Sequence, residues 1–148
     1  VDYGLWIFKN VSPLLKAAKK QSVTTIASSQ LSDKGNRYGL FKDADLFCMN
    51  EKEASIVGSF EGCTTKGSSG CIFRANGQVI EHPGFIVDSK DSCGAGDSFL
   101  AALSLVVDNI DVESLAFCNA WAAMSTTKIG TGSPTLKEAY ELLRNTEV

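Results

Sequence analysis

The chain has 148 residues, 44% of them hydrophobic and 21% charged, with a formal net charge of −3. That balance fits one globular domain over 1–148, and it provides neither the basic surface nucleic acid needs nor the ~20-residue apolar run of a membrane span. Five cysteines, none spaced as Cys-x-x-Cys, and a single histidine make no zinc pattern; they read as free thiols of a reducing, cytoplasmic compartment.

The sequence opens on valine, and a strand is predicted over 3–8. A helix is expected over 11–20, with Ser12 as its cap and Pro13 in the first helical position, where a missing N–H costs nothing. A second strand follows over 23–28, so the unit is β-α-β with parallel strands. Residues 29–42 are polar and read as a loop, and 44–49 as a third strand ending at Asn50-Glu51-Lys52-Glu53. Asn50 followed by Glu53 is a helix-capping pattern. The span from Ala54 to Thr64 is too short for a mean helix of ~11 residues plus a turn and a strand. Asn76-Gly77 between 71–74 and 79–82 signals a hairpin. His82 reads as a surface-loop histidine.

Residues 85–87 are apolar and β-branched, a predicted strand, and 99–107 an apolar helix. Between them, Asp91-Ser-Cys-Gly-Ala-Gly-Asp97 forms a turn whose small residues let backbone N–H groups converge beside the positive end of a helix dipole. An anion suits that point. Asp97 would repel it unless the carboxylate takes a proton from a group attacking a phosphate. The plainer alternative is a tight turn with a solvated Asp near a helix start. Cys93, just ahead of that start, is either a reactive thiol of lowered pKa or an inert filler. A loop at 108–112, a helix over 112–124 whose Ala-rich face packs on the preceding one, and an amphipathic helix over 136–144 complete the chain.

The stretch 91–99 resembles the C-terminal signature of the ribokinase (PfkB-type) carbohydrate kinases, Asp-Thr-x-Gly-Ala-Gly-Asp-x-Phe, with Ser92 in place of Thr. The resemblance implies a ribokinase-like α/β fold, three-layer α/β/α with a mostly parallel sheet. It makes Asp97 the base that deprotonates a substrate hydroxyl, and the amides of Gly94, Ala95 and Gly96 the anion hole for the γ-phosphoryl of ATP. Asn50 and Glu53 match the family's Asn-x-x-Glu, implying an indirect, water-mediated role at Mg²⁺; as a helix cap the same pair needs no metal. Thr65, Gly67 and Gly70 match the Thr-x-Gly-x-x-Gly strand end that lines the nucleotide. In the kinases this chain resembles, a full helix and strand lie between those two motifs, so by that resemblance the span from Ala54 to Thr64 reads as a deleted helix or as omitted residues. Asn119 matches an Asn near the adenine. Gly130, in the loop 128–134, matches a Gly-rich loop that contacts the nucleotide and a monovalent cation such as K⁺; it is otherwise a helix C-cap before a Pro stop.

Asp2-Tyr3-Gly4 resembles a strand end midway along sugar kinases, but Leu5 replaces the usual Lys and no role is carried over. The family's Gly-Gly sugar signature and β-lid have no match, so the chain reads as the C-terminal half of such a kinase. Its expected partners are ATP and a sugar or sugar phosphate, with no nucleic acid or membrane, and a homodimer is open to the full-length protein. Two alternatives stand beside sugar phosphorylation: a non-catalytic adenine-nucleotide-binding module, and a nucleoside kinase.

Overall fold

The computed structural model describes residues 10–30 and 37–146. The strand predicted over 3–8 and the Asp2-Tyr3-Gly4 match lie outside them. The chain divides into two compact units: one holds the described residues up to Thr64 together with Phe73–Gln78, the other Thr65–Ile72 and the residues from Val79 on. Five strands, β1 (Ile26–Ala27), β2 (Leu46–Asn50), β3 (Gly62–Thr65), β4 (Cys71–Ala75) and β5 (Gln78–His82), follow one another in that order across a single sheet. Together with the helices this is the ribokinase-like α/β class. Among the described residues no helix is long and apolar enough to cross a membrane.

In the first unit, α1 spans Ser12–Lys20, with Pro13 in its second position rather than its first. The cap is Val11 and not Ser12: the Asn10 carboxamide, one residue further upstream, takes the Ser12 N–H at 3.0 Å. That frees Val11 to pack into a core with Ala27 and Phe41, flanked by Leu15, Leu40 and Phe47. β1 and β2 pair in parallel, Ile26 opposite Leu46. Their entry is pinned by Asp45 Oδ2, which accepts from the Thr25 amide at 2.8 Å and the Thr25 hydroxyl at 2.6 Å. The expected loop at 29–42 contains a 3₁₀ turn, Tyr38–Phe41, with both end residues buried.

The short span after Ala54 holds the end of one helix and most of one strand. Helix α2 is only Glu51–Val57, held at its start by a complete capping box and closed by Gly58 at φ 84. Gly62, at φ 137, then opens β3 against β2: a Cβ there would stand 1.9 Å from the Phe47 carbonyl oxygen. Close strand approach and a two-turn helix together fit the connection into the available length.

β4 and β5 form the expected hairpin, with Asn76 and Gly77 both at positive φ as a two-residue turn requires. The strand expected over 85–87 is absent: the segment runs without a ladder, Ile86 is fully exposed, and the Lys90 and Asp91 amides fasten its far end to Thr126 O at 2.8 and 3.0 Å. An apolar β-branched run reports local preference, whereas a strand also needs a pairing neighbour. Helix α3 is Ala95–Val106, beginning four residues earlier than expected, so Ala95 and Gly96 are helical. Helix α4 is Val112–Thr126, capped by Asp111 and Ser114, and α5 is Leu136–Thr146. The α4 cap is Thr127 rather than Gly130. α4 packs on both α3 and α5, with Phe117, Trp121 and Tyr140 forming an aromatic cluster.

Gly62→Ala should destabilise the chain by about 3 kcal/mol in urea unfolding, since main chain must move to admit it; Gly39→Ala, which meets nothing within 4 Å, should cost under about 1 kcal/mol. The Thr25 hydroxyl, and then its amide, hold the Asp45 carboxyl below its ordinary pKa. The carboxylate therefore stabilises the folded chain above the unfolded value of ~3.9, and that contribution is lost as pH falls through the folded one. Asp45→Asn should cost about 0.5–1 kcal/mol at pH 7, kept small by solvent exposure. Its gap from wild type should close below about pH 4 in pH-dependent melts.

Candidate functional site

A cavity of about 380 Å³ opens in the second unit, and every residue lining it belongs to that unit. Thr65, Gly67, Ser68 and Gly70 contribute the turn between β3 and β4. Residues 84–87 and Ser89 contribute one side, with Ser92, Ala95, Gly96 and Phe99 from α3 and the turn before it. Asn119, Ala122, Ala123 and Thr126 form the α4 side. Both helical contributions follow i, i+3, i+4, i+7, so each helix turns a single stripe to the cavity. The stripes are mostly small residues, which is why space remains between well-packed elements.

The rim is fixed by close backbone contact. A Cβ on Gly70, which has φ 99, would stand 2.1 Å from His82 O, and one on Gly84 would stand 2.1 Å from Ser68 O. Asn119 is buried, and its Nδ2 lies 3.3 Å from both His82 O and Pro83 O and 3.0 Å from His82 Nδ1. His82 therefore ends a strand and packs against Phe85 at a ring separation of 5.5 Å, where a surface loop was expected. Burial pushes the neighbouring Cys71 thiol up to about 11, against the contrary pull of the Asn119 amide and the Lys66 charge. Lys66 itself pairs with Glu81 at 2.5 Å.

The turn into α3 is built from Asp91. Its Oδ1 accepts from the Cys93 amide at 2.9 Å and its Oδ2 from the Gly130 amide at 3.0 Å, joining the turn to the loop after α4. Gly94 caps α3 at φ 78. Of the three amides expected to form an anion hole, that of Ala95 donates to Ser92 O at 3.2 Å. The Gly96 amide occupies a first-turn position that has no partner inside the helix, at the positive end of a twelve-residue dipole. A Cβ on Gly96 would meet nothing within 4 Å, so the space beside it is one that a side chain would fill and a phosphate can enter. Asp97 follows directly, in an exposed position.

Of the residues singled out in the sequence, Thr65, Gly67, Gly70, Ala95, Gly96 and Asn119 meet at this cavity. Gly94, Asp97 and Gly130 are not among its lining residues but belong to the turn and loop that adjoin it. Asn50 and Glu53 lie in the first unit as the cap of α2: Asn50 Oδ1 accepts from the Glu53 amide and Glu53 Oε2 from the Asn50 amide, each at 2.9 Å. The Tyr38 hydroxyl is 3.4 Å from the same Oε2, and burial, then the Glu53 charge, push that hydroxyl well above its ordinary range. Among the described residues no cluster of three or more His, Cys, Asp or Glu could hold a metal ion directly. Sequence reading passed over Ala122, Ala123 and Thr126, assigning the Ala-rich face of α4 to helix packing alone. The usable signal is their spacing from Asn119, which repeats that of Ser92, Ala95, Gly96 and Phe99.

Comparison with known proteins gives this geometry a context. The family described as pfkB family carbohydrate kinase matches residues 63–138, just over half of the chain. The ribokinase of Bacillus subtilis is 36% identical over 83 residues, covering 53% of this chain and 28% of its own length. The ribokinase of Arabidopsis thaliana, solved in complex with ribose and ATP, superposes with a TM-score of 0.73 at 23% identity, over 88% of this chain and 51% of that one. The aminoimidazole riboside kinase of Salmonella enterica, solved with aminoimidazole riboside and an ATP analog, gives 0.71 at 18% identity, over 88% and 56%. The chain thus spans about a third or less of the curated relatives it matches and about half of these solved chains. Carrying the family's match from β3 through the start of α5, the chain belongs to the pfkB family of carbohydrate kinases.

Proposed function

We propose that the full-length protein transfers the γ-phosphoryl of ATP to a hydroxyl of a sugar or sugar phosphate, a nucleoside being the alternative acceptor. The observation that carries this reading is the first turn of α3, where an αL glycine, open space beside Gly96 and the Asp97 carboxylate succeed one another in four residues. The Gly96 amide binds the transferring phosphoryl oxygens, with Gly94 and Ala95 shaping the turn that aims it. Asp97 takes the proton of the acceptor hydroxyl as its oxygen attacks phosphorus and ADP departs. Family membership supports the transfer, and the neighbours solved with ribose or a riboside and a nucleotide support both substrates.

Mg²⁺ supplies charge neutralisation on the phosphates when bound. The Asn50–Glu53 pair that matches the family's Asn-x-x-Glu is held by its mutual hydrogen bonds, which fix the Glu53 carboxylate. Gly130, already tied to Asp91, would carry the closing loop toward the nucleotide and a monovalent cation, K⁺ in our reading.

Because the cavity is lined by one compact unit, a second reading applies to the chain by itself: adenine-nucleotide binding without transfer. ATP binding by this chain without acceptor-dependent ADP release would favour it.

In the full-length protein, Asp97→Asn should lower turnover by about 10³-fold while the nucleotide Kd stays within about threefold. Unchanged turnover would remove Asp97 as the base. Gly96→Val, in calorimetric titration of Mg²⁺–ATP, should weaken binding by at least about tenfold, because its side chain occupies the space the phosphate needs. Undiminished affinity would place the phosphates elsewhere.

A further inference from the structure

Asn119 contributes the carboxamide of the cavity wall, the kind of group that can read a nucleobase through a paired donor and acceptor. Its neighbours restrict it. His82 O and Pro83 O can only accept, so the NH₂ end must face them. That leaves His82 Nδ1, at 3.0 Å, as a third acceptor, with the ring proton on Nε2. Two hydrogens shared among three acceptors leave no donor for a ligand. Only Oδ1 remains, and the adenine and cytosine amino groups, the guanine N1–H and the uracil N3–H can each satisfy it.

The other polar side chains at the cavity are hydroxyls: those of Ser68, Ser89 and Ser92 rotate to donate or accept as required, Thr65 adds a further one, and that of Thr126 donates to Ala123 O at 2.7 Å and can only accept from a ligand. The turn's own backbone is committed: the Gly70 amide bonds Gly67 O, the Ser69 amide bonds Lys66 O, and Gly70 O takes the Lys66 amide. Phe85, Ile86, Val87 and Phe99 make up the apolar part, and among the described lining residues none is charged. A fixed acceptor, adaptable hydroxyls and apolar surface welcome any base. Strong rejection requires a buried group left unsatisfied by the wrong ligand, and the cavity offers none.

We infer that this cavity is a general nucleoside 5′-triphosphate site, one that accepts purine and pyrimidine donors with little discrimination because the Asn119 amide is spent on the protein's own backbone. The inference rests on the nucleotide reading above. Its test is calorimetric titration of the chain with the magnesium complexes of ATP, GTP, CTP and UTP under identical conditions. The four dissociation constants should fall within about tenfold of one another. A preference above about 100-fold for one base would overturn this inference and leave the nucleotide reading standing. Failure of all four to bind would overturn the nucleotide reading and this inference with it.

Discussion

Two glycines at which main chain meets main chain hold the rim of the cavity, and the surrounding residues take their positions from that contact. Gly70 faces the His82 carbonyl and Gly84 the Ser68 carbonyl, at distances that leave no room for a Cβ. Neither partner is a side chain, so neither can rotate away. Two carbonyls lie beside this contact, those of His82 and Pro83, and an acceptor left without a donor where water is excluded costs about 1–3 kcal/mol. Asn119 supplies that donor from α4. This gives a physical reason for an asparagine in mid-helix, where its intrinsic preference is poor.

The cavity itself is a matter of omission. α3 and α4 pack closely through Phe99, Ala102, Leu103, Leu115 and Cys118, all buried, yet the adjoining stripes present alanine, glycine, serine and threonine. Larger side chains there would fill the space and add apolar burial, the ordinary route to stability. Keeping it open forgoes that gain, as is usual where a protein must receive a ligand. The same logic applies at the start of α3, where Gly96 is a weak helix former whose missing side chain leaves the dipole end accessible.

Much of this was legible from residue order because it is local. The Asn50–Glu53 box, the Asn76-Gly77 turn and the Gly94–Asp97 helix entry each depend on residues within four positions of one another, and they form where their spacing places them. What escaped depends on distant partners. Residues 85–87 carry strand chemistry but no ladder, since pairing is settled by a neighbour. The cap at Val11 was displaced from Ser12 because the core claims the valine. The role of His82 was hidden because its companion, Asn119, is 37 positions away. The length of α2 misled for a different reason: a mean helix is a poor guide where a capping box and a strand-to-strand contact at Gly62 let seven residues suffice.

The five cysteines are all free, and they are not equivalent. Cys48, Cys63, Cys71 and Cys118 are buried, with burial raising Cys71 to about 11 and Cys118 to about 12, whereas Cys93 is exposed. A reagent in solution therefore reaches one thiol on the folded chain, adjacent to the glycine that caps α3. The wild-type sequence comes with its own attachment point for a fluorophore or spin label, one turn from the carboxylate of Asp97, and events at the mouth of the cavity can be followed spectroscopically without engineering the other four cysteines away.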